Sequence, residues 1–462
     1  MKNILLVFLV AVAIATFAAC KVTNETTVTE NDKSETAETG KNTEEVTPEM
    51  IEGFDTENIE LSFWVLSDVH YGYLDQDSKL RASLEFINSN SPYGNDLIIV
   101  AGDILNSQNT IEVTGFRDAF DAVISSDIPV FGCLGPTHDI GESYESDTVS
   151  TRGRRIIYKK LSDRFTIADV EPQEELYWGR RHAVINGYHF FAVDGEGYAL
   201  TDESKEWLRK SLETVTKAEP DKTVFVIGHL EQFGEMCKDF PQVVYFSGHT
   251  HIPFNTGDAI KQTTFTSVHV GGMAYFRQKS RTSSNYLDFD QTTASYAQGY
   301  RVDVDKNGCI CLHRVDFYYG EFIKEKWIIP AVNDENHLKV YPDKRRNGSA
   351  PSFSDNAKIQ IKRADAHPST VVVEFDAAES NSFEPVTQYL VSLYSIGADG
   401  KETFIQNKEV SSLYMLYPDP AEMPKEYSAV FDGVDTSIKL KTVVTAYDCW
   451  SAGTNSISTE LK

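Results

Sequence analysis

Five short segments of the sequence place Asp or His directly after an apolar run: Ser67-Asp68-Val69-His70, Ala101-Gly102-Asp103, Pro136-Thr137-His138-Asp139, Ile227-Gly228-His229 and Ser247-Gly248-His249-Thr250-His251. Taken singly, each has a bland reading. A lone His at a strand end is more often a hydrogen-bonded structural residue than a ligand, and Asp after Gly is common in turns. The set is different. If the strands continue through these segments, alternation puts Asp68 and His70 on one side, and His249 and His251 likewise, so that each pair can grip one centre. With Asp103 and His229 they give oxygen and nitrogen ligands without thiolate. Such a set suits manganese, iron, zinc or cobalt better than copper(I) or a closed structural zinc site.

In their order over residues 59 to about 330, these segments resemble the signature of the calcineurin-like metallophosphoesterase family: Asp-x-His, Gly-Asp, Gly-Asn-His-Asp/Glu, a lone His and Gly-His-x-His. The resemblance implies an α/β (α+β layered) core of two mixed β-sheets packed together and flanked by helices. It implies that Asp68, His70 and His251 hold one divalent metal ion, that His229 and His249 hold a second, and that Asp103 bridges them. His138 would contact the phosphate and protonate the leaving group, with Asp139 orienting it. The implied chemistry is hydrolysis of a phosphate mono- or diester by hydroxide held between the two metals.

One position departs from the family. Thr137 stands where the family has an Asn that donates its amide oxygen to the second metal, and Pro136 stands where Gly is usual. A hydroxyl is shorter and a poorer ligand, and Pro restricts the loop backbone. Thr137 is therefore at most a weak ligand, and a surface binding protein on a weakened phosphoesterase scaffold is the alternative that it raises. Survival of every charged or imidazole ligand favours the hydrolase.

The elements that must carry these residues can be read from periodicity. Apolar runs at 61–66, 97–101 and 128–134 alternate with helical patterns at 78–88 and 112–124, the layout of an α/β core. Asn186-Gly187 and Asn307-Gly308 mark hairpin turns. Residues 273–298 carry few strand signals and read as a loop over the site, where specificity usually resides. Arg152, Arg154 and Arg155, and then Arg277, Lys279 and Arg281, are cation clusters that could orient a charged group of the substrate; a solvated charge run is at least as good a reading of each. Trp207, Leu208 and Leu212 read as one face of a packing helix.

Beyond a break at residues 341–354, short strand signals and the Asp399-Gly400 turn suggest a small all-β sandwich. Its closing Ala446-Tyr447-Asp448-Cys449-Trp450 resembles the last strand of fibronectin type III-like modules. The expected organisation is a signal peptide at 1–20, a tether at 21–55, the core at 56–335 and the sandwich at 355–462.

Lys2, the apolar run that follows it and Ala18-Ala19-Cys20 have the layout of an export signal and resemble a bacterial lipoprotein signal, with Cys20 as the lipidated residue. The run falls short of the about 20 residues that a transmembrane helix needs. The expectation is an exported cell-surface or periplasmic lipoprotein, anchored to the membrane by its lipid. Residues 21–50, rich in Thr, Glu and Asn, cannot bury enough surface to fold. A net charge of -26 over 462 residues repels nucleic acid, so a small phosphorylated substrate is expected, and the oligomeric state stays open. Cys133, Cys237, Cys309, Cys311 and Cys449 are too few and too scattered for a disulfide framework.

Overall fold

The strand β1 (Ile59–Leu66), buried from Leu61 onward, runs parallel to β2 (Leu97–Ala101), which in turn runs parallel to β3 (Val130–Cys133). On its other edge β1 pairs antiparallel with β12 (Gln298–Asp305), followed by β13 (Ile310–Asp316) with β14 (Glu321–Phe322) and β15 (Trp327–Ile329). A second mixed sheet has the order β4 (Arg180–Ile185), β5 (Tyr188–Val193), β6 (Val224–Gly228), β7 (Val243–Ser247), β9 (Thr266–His269) and β8 (Ile260–Gln262). From β5 through β7 to β9 its strands are parallel.

This computed structural model describes residues 53–107, 109–139, 161, 179–195, 197–323, 326–342, 350–364, 367–380, 384–450 and 456–461. Cys20, residues 21–52 of the tether expected at 21–55, and Arg152, Arg154 and Arg155 lie outside the described residues, while Phe54 is buried against the core. Among the described residues, no helix is long and apolar enough to cross a membrane.

The two sheets face each other across one apolar layer. Phe63 of β1 meets Phe190 and Phe225 of the second sheet edge to face, with ring centroids 5.3 and 5.1 Å apart. Outside the first sheet lie α1 (Gln76–Ser89) and α2 (Thr110–Val123), which bury Leu80, Leu84, Ile87, Phe116 and Phe120 against it. Outside the second lies α3 (Asp202–Ala218), with Leu208 and Leu212 inward and Trp207 against Phe191. Asn109 and Thr201 cap α2 and α3 by accepting from the Glu112 and Ser204 N–H groups, contacts that stabilise a helix by about 1 kcal/mol each.

A buried ion pair fastens the sheets together near the ends of their strands. Arg181 of β4 donates to Asp194 at 3.1 Å and to the Gly132 carbonyl of β3, while the Leu134 N–H donates to Asp194 at 2.7 Å. The start of the His138 loop is thereby anchored to the second sheet.

Asn186-Gly187 forms the expected turn between β4 and β5, with both residues at positive φ. Residues 273–298, expected as a loop, contain a hairpin of β10 (Arg277–Lys279) and β11 (Tyr286–Asp288) and a single helical turn, Asp290–Thr293. Three-residue strands with polar sequences leave no periodic trace, which is why the pattern missed them.

From Ile359 the chain forms two further antiparallel sheets: β16 (Ile359–Ala364), β17 (His367–Asp376) and β20 (Glu426–Phe431) in one, and β19 (Glu402–Ser411), β18 (Gln388–Ile396), β21 (Lys439–Tyr447) and β22 (Ser456–Leu461) in the other. Val371, Val373 and Phe375 of the first close on Tyr389, Val391, Leu393 and Val444 of the second. The Asp399-Gly400 turn joins β18 to β19. The described cysteines are free, four of them buried, and Cys309 and Cys311 pack with Phe54 as small apolar side chains.

Candidate metal centre

Each candidate ligand follows the carboxyl end of a parallel strand: Asp68 and His70 after β1, Asp103 after β2, His138 after β3, His229 after β6, and His249 and His251 after β7. Ligands of open α/β sheets gather at this edge. The loops are knitted together by backbone bonds, Asp68 N–H to Gly102 O at 3.0 Å, His70 N–H to Asp103 O at 2.9 Å and Gly248 N–H to His229 O at 3.0 Å.

Strand alternation is not what brings the pairs together, and that expectation is corrected. Asp68, His70, Asp103, His249 and His251 all sit at left-handed φ, between 46 and 76°. Each such residue costs about 1 to 2 kcal/mol relative to ordinary backbone. The chain turns sharply at each ligand and throws the side chain inward. Close approach adds its own demand: a Cβ at position 135 would lie 1.7 Å from Asp103 Oδ1, and one at 248 would lie 2.4 Å from Asp68 Oδ2, so both positions need Gly.

Three overlapping groups of ligand atoms result: Asp68, His70 and His251; His70, Asp103 and His138; Asp103, His229 and His249. His70 Nε2 and His251 Nε2 are 3.1 Å apart, and His251 Nε2 is 3.3 Å from Asp68 Oδ1. His229 Nε2 is 3.1 Å from Asp103 Oδ2 and 3.9 Å from Asp68 Oδ1. All of these side chains are buried except His249 and His138, which are partly exposed.

Protonation fits cation binding. Burial pulls His70 down to about 3 and His249 down to about 4, and it pulls His251 well below its ordinary range, so these imidazoles are neutral and have a lone pair to offer. Burial also opposes the charge on His229, but Asp103 and Asp68 outweigh it and raise it to about 10. Burial raises Asp68 to about 7. Burial works against the charge of Asp103 too, yet the imidazoles of His229, His70 and His138 hold it well below the usual carboxylate range.

His229 Nδ1 meets the Ala101 carbonyl at 2.8 Å, and a carbonyl can only accept, so this nitrogen carries the proton. Its Nε2 then turns a lone pair toward the Asp103 carboxylate, an arrangement that requires a cation between them, either a proton or a metal ion. Asp103 Oδ1 is buried and has no hydrogen-bond partner among the described residues. The residues present therefore fit divalent metal ions.

Several supporting residues had no signal in the sequence. His251 Nδ1 donates to the Tyr275 carbonyl at 3.1 Å, and its ring stacks on the Tyr275 ring at 4.2 Å. Gln76, buried at the start of α1, donates to the carbonyls of Val69, between two ligands, and of Met273. Of the three cations after the last ligand pair, Arg277 donates its N–H to the His251 carbonyl at 2.9 Å and places its guanidinium 5.1 Å over the Tyr275 ring. Lys279 is exposed, and Arg281 is directed away, onto the C-terminal sheets.

The expected role of Asp139 is also corrected. Its carboxylate accepts from the N–H groups of Ile104, Leu105 and Gly135 at 3.1, 2.9 and 2.8 Å and so fastens the His138 loop to the loop after β2. His138 is oriented by the Asn106 carbonyl, 3.0 Å from its Nδ1. Thr137 is half-buried in the same loop, between Pro136 and His138.

Residues 61–253 match the calcineurin-like phosphoesterase family. No curated protein matches the chain. Among solved structures, the chain is similar to a purple acid phosphatase from yellow lupin (Lupinus luteus) seeds, with 13% identity, a TM-score of 0.42 and coverage of 58% of this chain and 53% of that one. It thus spans about half the length of that structure. It is also similar to a glycosyl hydrolase family 2 member from Bacteroides cellulosilyticus, with 6% identity, a TM-score of 0.24 and coverage of 87% and 62%. The core has the metallophosphoesterase fold, with all-β sheets added at its C-terminal end.

Proposed function

We propose that this chain, whose residues 61–253 form a calcineurin-like phosphoesterase domain, hydrolyses a small phosphate mono- or diester with the help of two divalent metal ions. The observation that carries the reading is the set of overlapping ligand groups at the strand ends, with Asp103 common to two of them. Asp68, His70 and His251 would hold one ion and His229 and His249 the other, with Asp103 shared between them. When bound, the ions polarise the phosphoryl group and lower the pKa of water.

The chain's own residues supply the rest. The Asn106 carbonyl fixes the proton of His138 on Nδ1, which leaves Nε2 to take up a proton and deliver it to the leaving oxygen. Arg277, beside the stacked pair of Tyr275 and His251, suits an anionic group of the substrate. Manganese, iron and zinc all suit the ligand set.

The test is hydrolysis of an aryl phosphomonoester and the matching diester by the full chain, with manganese or after chelation. Turnover should require the metal, and chelation should bring it to the uncatalysed background. Undiminished turnover after exhaustive chelation would sink the proposal. If the chain is inert with every metal tried, the alternative of a surface binding protein moves ahead, with Thr137 as the mark of a weakened second site.

The proposal extends to location. The signal-like N-terminus and the tether support a lipoprotein anchored through Cys20, with the sandwich as a fibronectin type III-like module. Cys20→Ser should move the chain from the membrane fraction to the soluble or precursor fraction. An unchanged distribution would remove the anchor from the account.

A further inference from the structure

The residues at positions 275–277 point in alternate directions. Tyr275 stacks on the ligand His251, Arg277 donates its N–H to the His251 carbonyl, and between them the fully buried Phe276 turns the other way. Phe276 packs with Tyr414, Met415 and Met423, which belong to the connection between β19 and β20 of the C-terminal sheets. The segment that supports the metal centre on one side is therefore seated on the C-terminal sandwich by the other.

Two residues on, Gln278 donates to the Thr387 carbonyl at 2.9 Å and accepts from the Ser411 hydroxyl at 2.6 Å. At the turn of the β10–β11 hairpin, the Glu409 carboxylate of β19 accepts from the Ser280 hydroxyl at 2.8 Å and from the Arg281 and Thr282 N–H groups, each at 2.9 Å. The Thr282 hydroxyl and the Gln388 amide also donate to it. Arg281 completes the joint by donating to the Asp448 carbonyl at 2.6 Å and lying 5.2 Å over the Tyr447 ring. One carboxylate thus gathers the backbone of a turn whose own strands are only three residues long. A hairpin of that size does not hold its shape alone in water.

We infer that the C-terminal sandwich is a working part of the metal centre, with Glu409 as a positioning residue that clasps the β10–β11 hairpin and so sets Arg277 and Tyr275 against His251 for substrate binding. The catalytic half of this inference rests on the phosphoesterase reading; the clasp itself does not.

The test uses the full chain and two substitutions on the sandwich. Glu409→Gln keeps the side chain's shape but puts an amide where two N–H groups need an acceptor. Glu374→Gln, on the other sheet and paired there with Lys362, controls for general loosening of the sandwich. Glu409→Gln should speed amide exchange across Arg277–Asp288 by about tenfold or more, while Glu374→Gln leaves it unchanged. It should also raise KM for an aryl phosphate by about tenfold and lower kcat by much less, because the loss is of binding rather than of chemistry. In an Arg277→Ala background the same substitution should have little further effect on kcat/KM, since the two act through one element. Unchanged hairpin exchange, or losses that add fully in the double variant, would overturn the inference. If wild type has no turnover, the phosphoesterase reading falls, and the exchange measurement alone still decides the clasp.

Discussion

Asp103→Asn should lower kcat/KM for an aryl phosphate by about 10³-fold or more in the presence of manganese, the scale set by losing several kcal/mol of metal-borne charge stabilisation at 1.36 kcal/mol per factor of ten. The substitution is a clean probe. Asp103 lies at a φ of 47°, and Asn tolerates the left-handed region as Asp does, so the backbone has no reason to move. What changes is the charge. Asp103 belongs to two of the three ligand groups, its Oδ2 faces His229 Nε2 at 3.1 Å, and its Oδ1 is buried without a partner. An amide presents an N–H to at least one of those directions. A second readout is independent of turnover: manganese at 100 times its Kd should stabilise wild type against unfolding by about 2.7 kcal/mol, and the variant by clearly less. A variant that keeps a tenth of wild-type activity, or the full stabilisation by manganese, would remove Asp103 from the centre.

The same residue shows why the site was legible in the sequence and its geometry was not. Asp68, His70, Asp103, His229, His249 and His251 are chemically distinctive and lie just beyond apolar runs, so a linear reading finds them and the structure brings them together. How they converge is a matter of φ at single residues, and non-Gly residues in the left-handed region leave no mark in a pattern of periods 2 and 3.6. The parallel strands β2 and β3 were equally plain, because a strand buried on both faces is a continuous apolar run.

The supporting residues were hidden for a different reason. Gln76, Tyr275 and Glu409 act through contacts with residues far away in sequence, Gln76 with Met273 and Glu409 with Ser280 among them. Nothing in their own neighbourhoods distinguishes them from an ordinary helix start, an aromatic core residue and a solvated strand charge. Asp139 makes the converse point. The motif singled it out as orienting His138, but its three N–H partners make it a fastener of loops.

That separation of roles makes His138 the position where chemistry and structure can be told apart. His138→Ala should lower kcat/KM by about 10² to 10⁴-fold for an alkyl phosphate, the range for losing a positioned general acid. It should cost far less for an aryl phosphate whose leaving oxygen departs without a proton. The geometry supports such a split: Nδ1 is tied to the Asn106 carbonyl at 3.0 Å, and the ring stands edge-on to His70 with centroids 4.3 Å apart. The free nitrogen therefore has one orientation, within reach of the ligand cluster that includes Asp103. Truncation to Ala leaves the Asp139 fastening intact, so the loop should keep its place and the unfolding midpoint should change little. The decisive comparison is the slope of rate against leaving-group basicity. A steeper slope in the variant places the proton transfer on His138, whereas equal losses for alkyl and aryl esters would mean that His138 only binds phosphate.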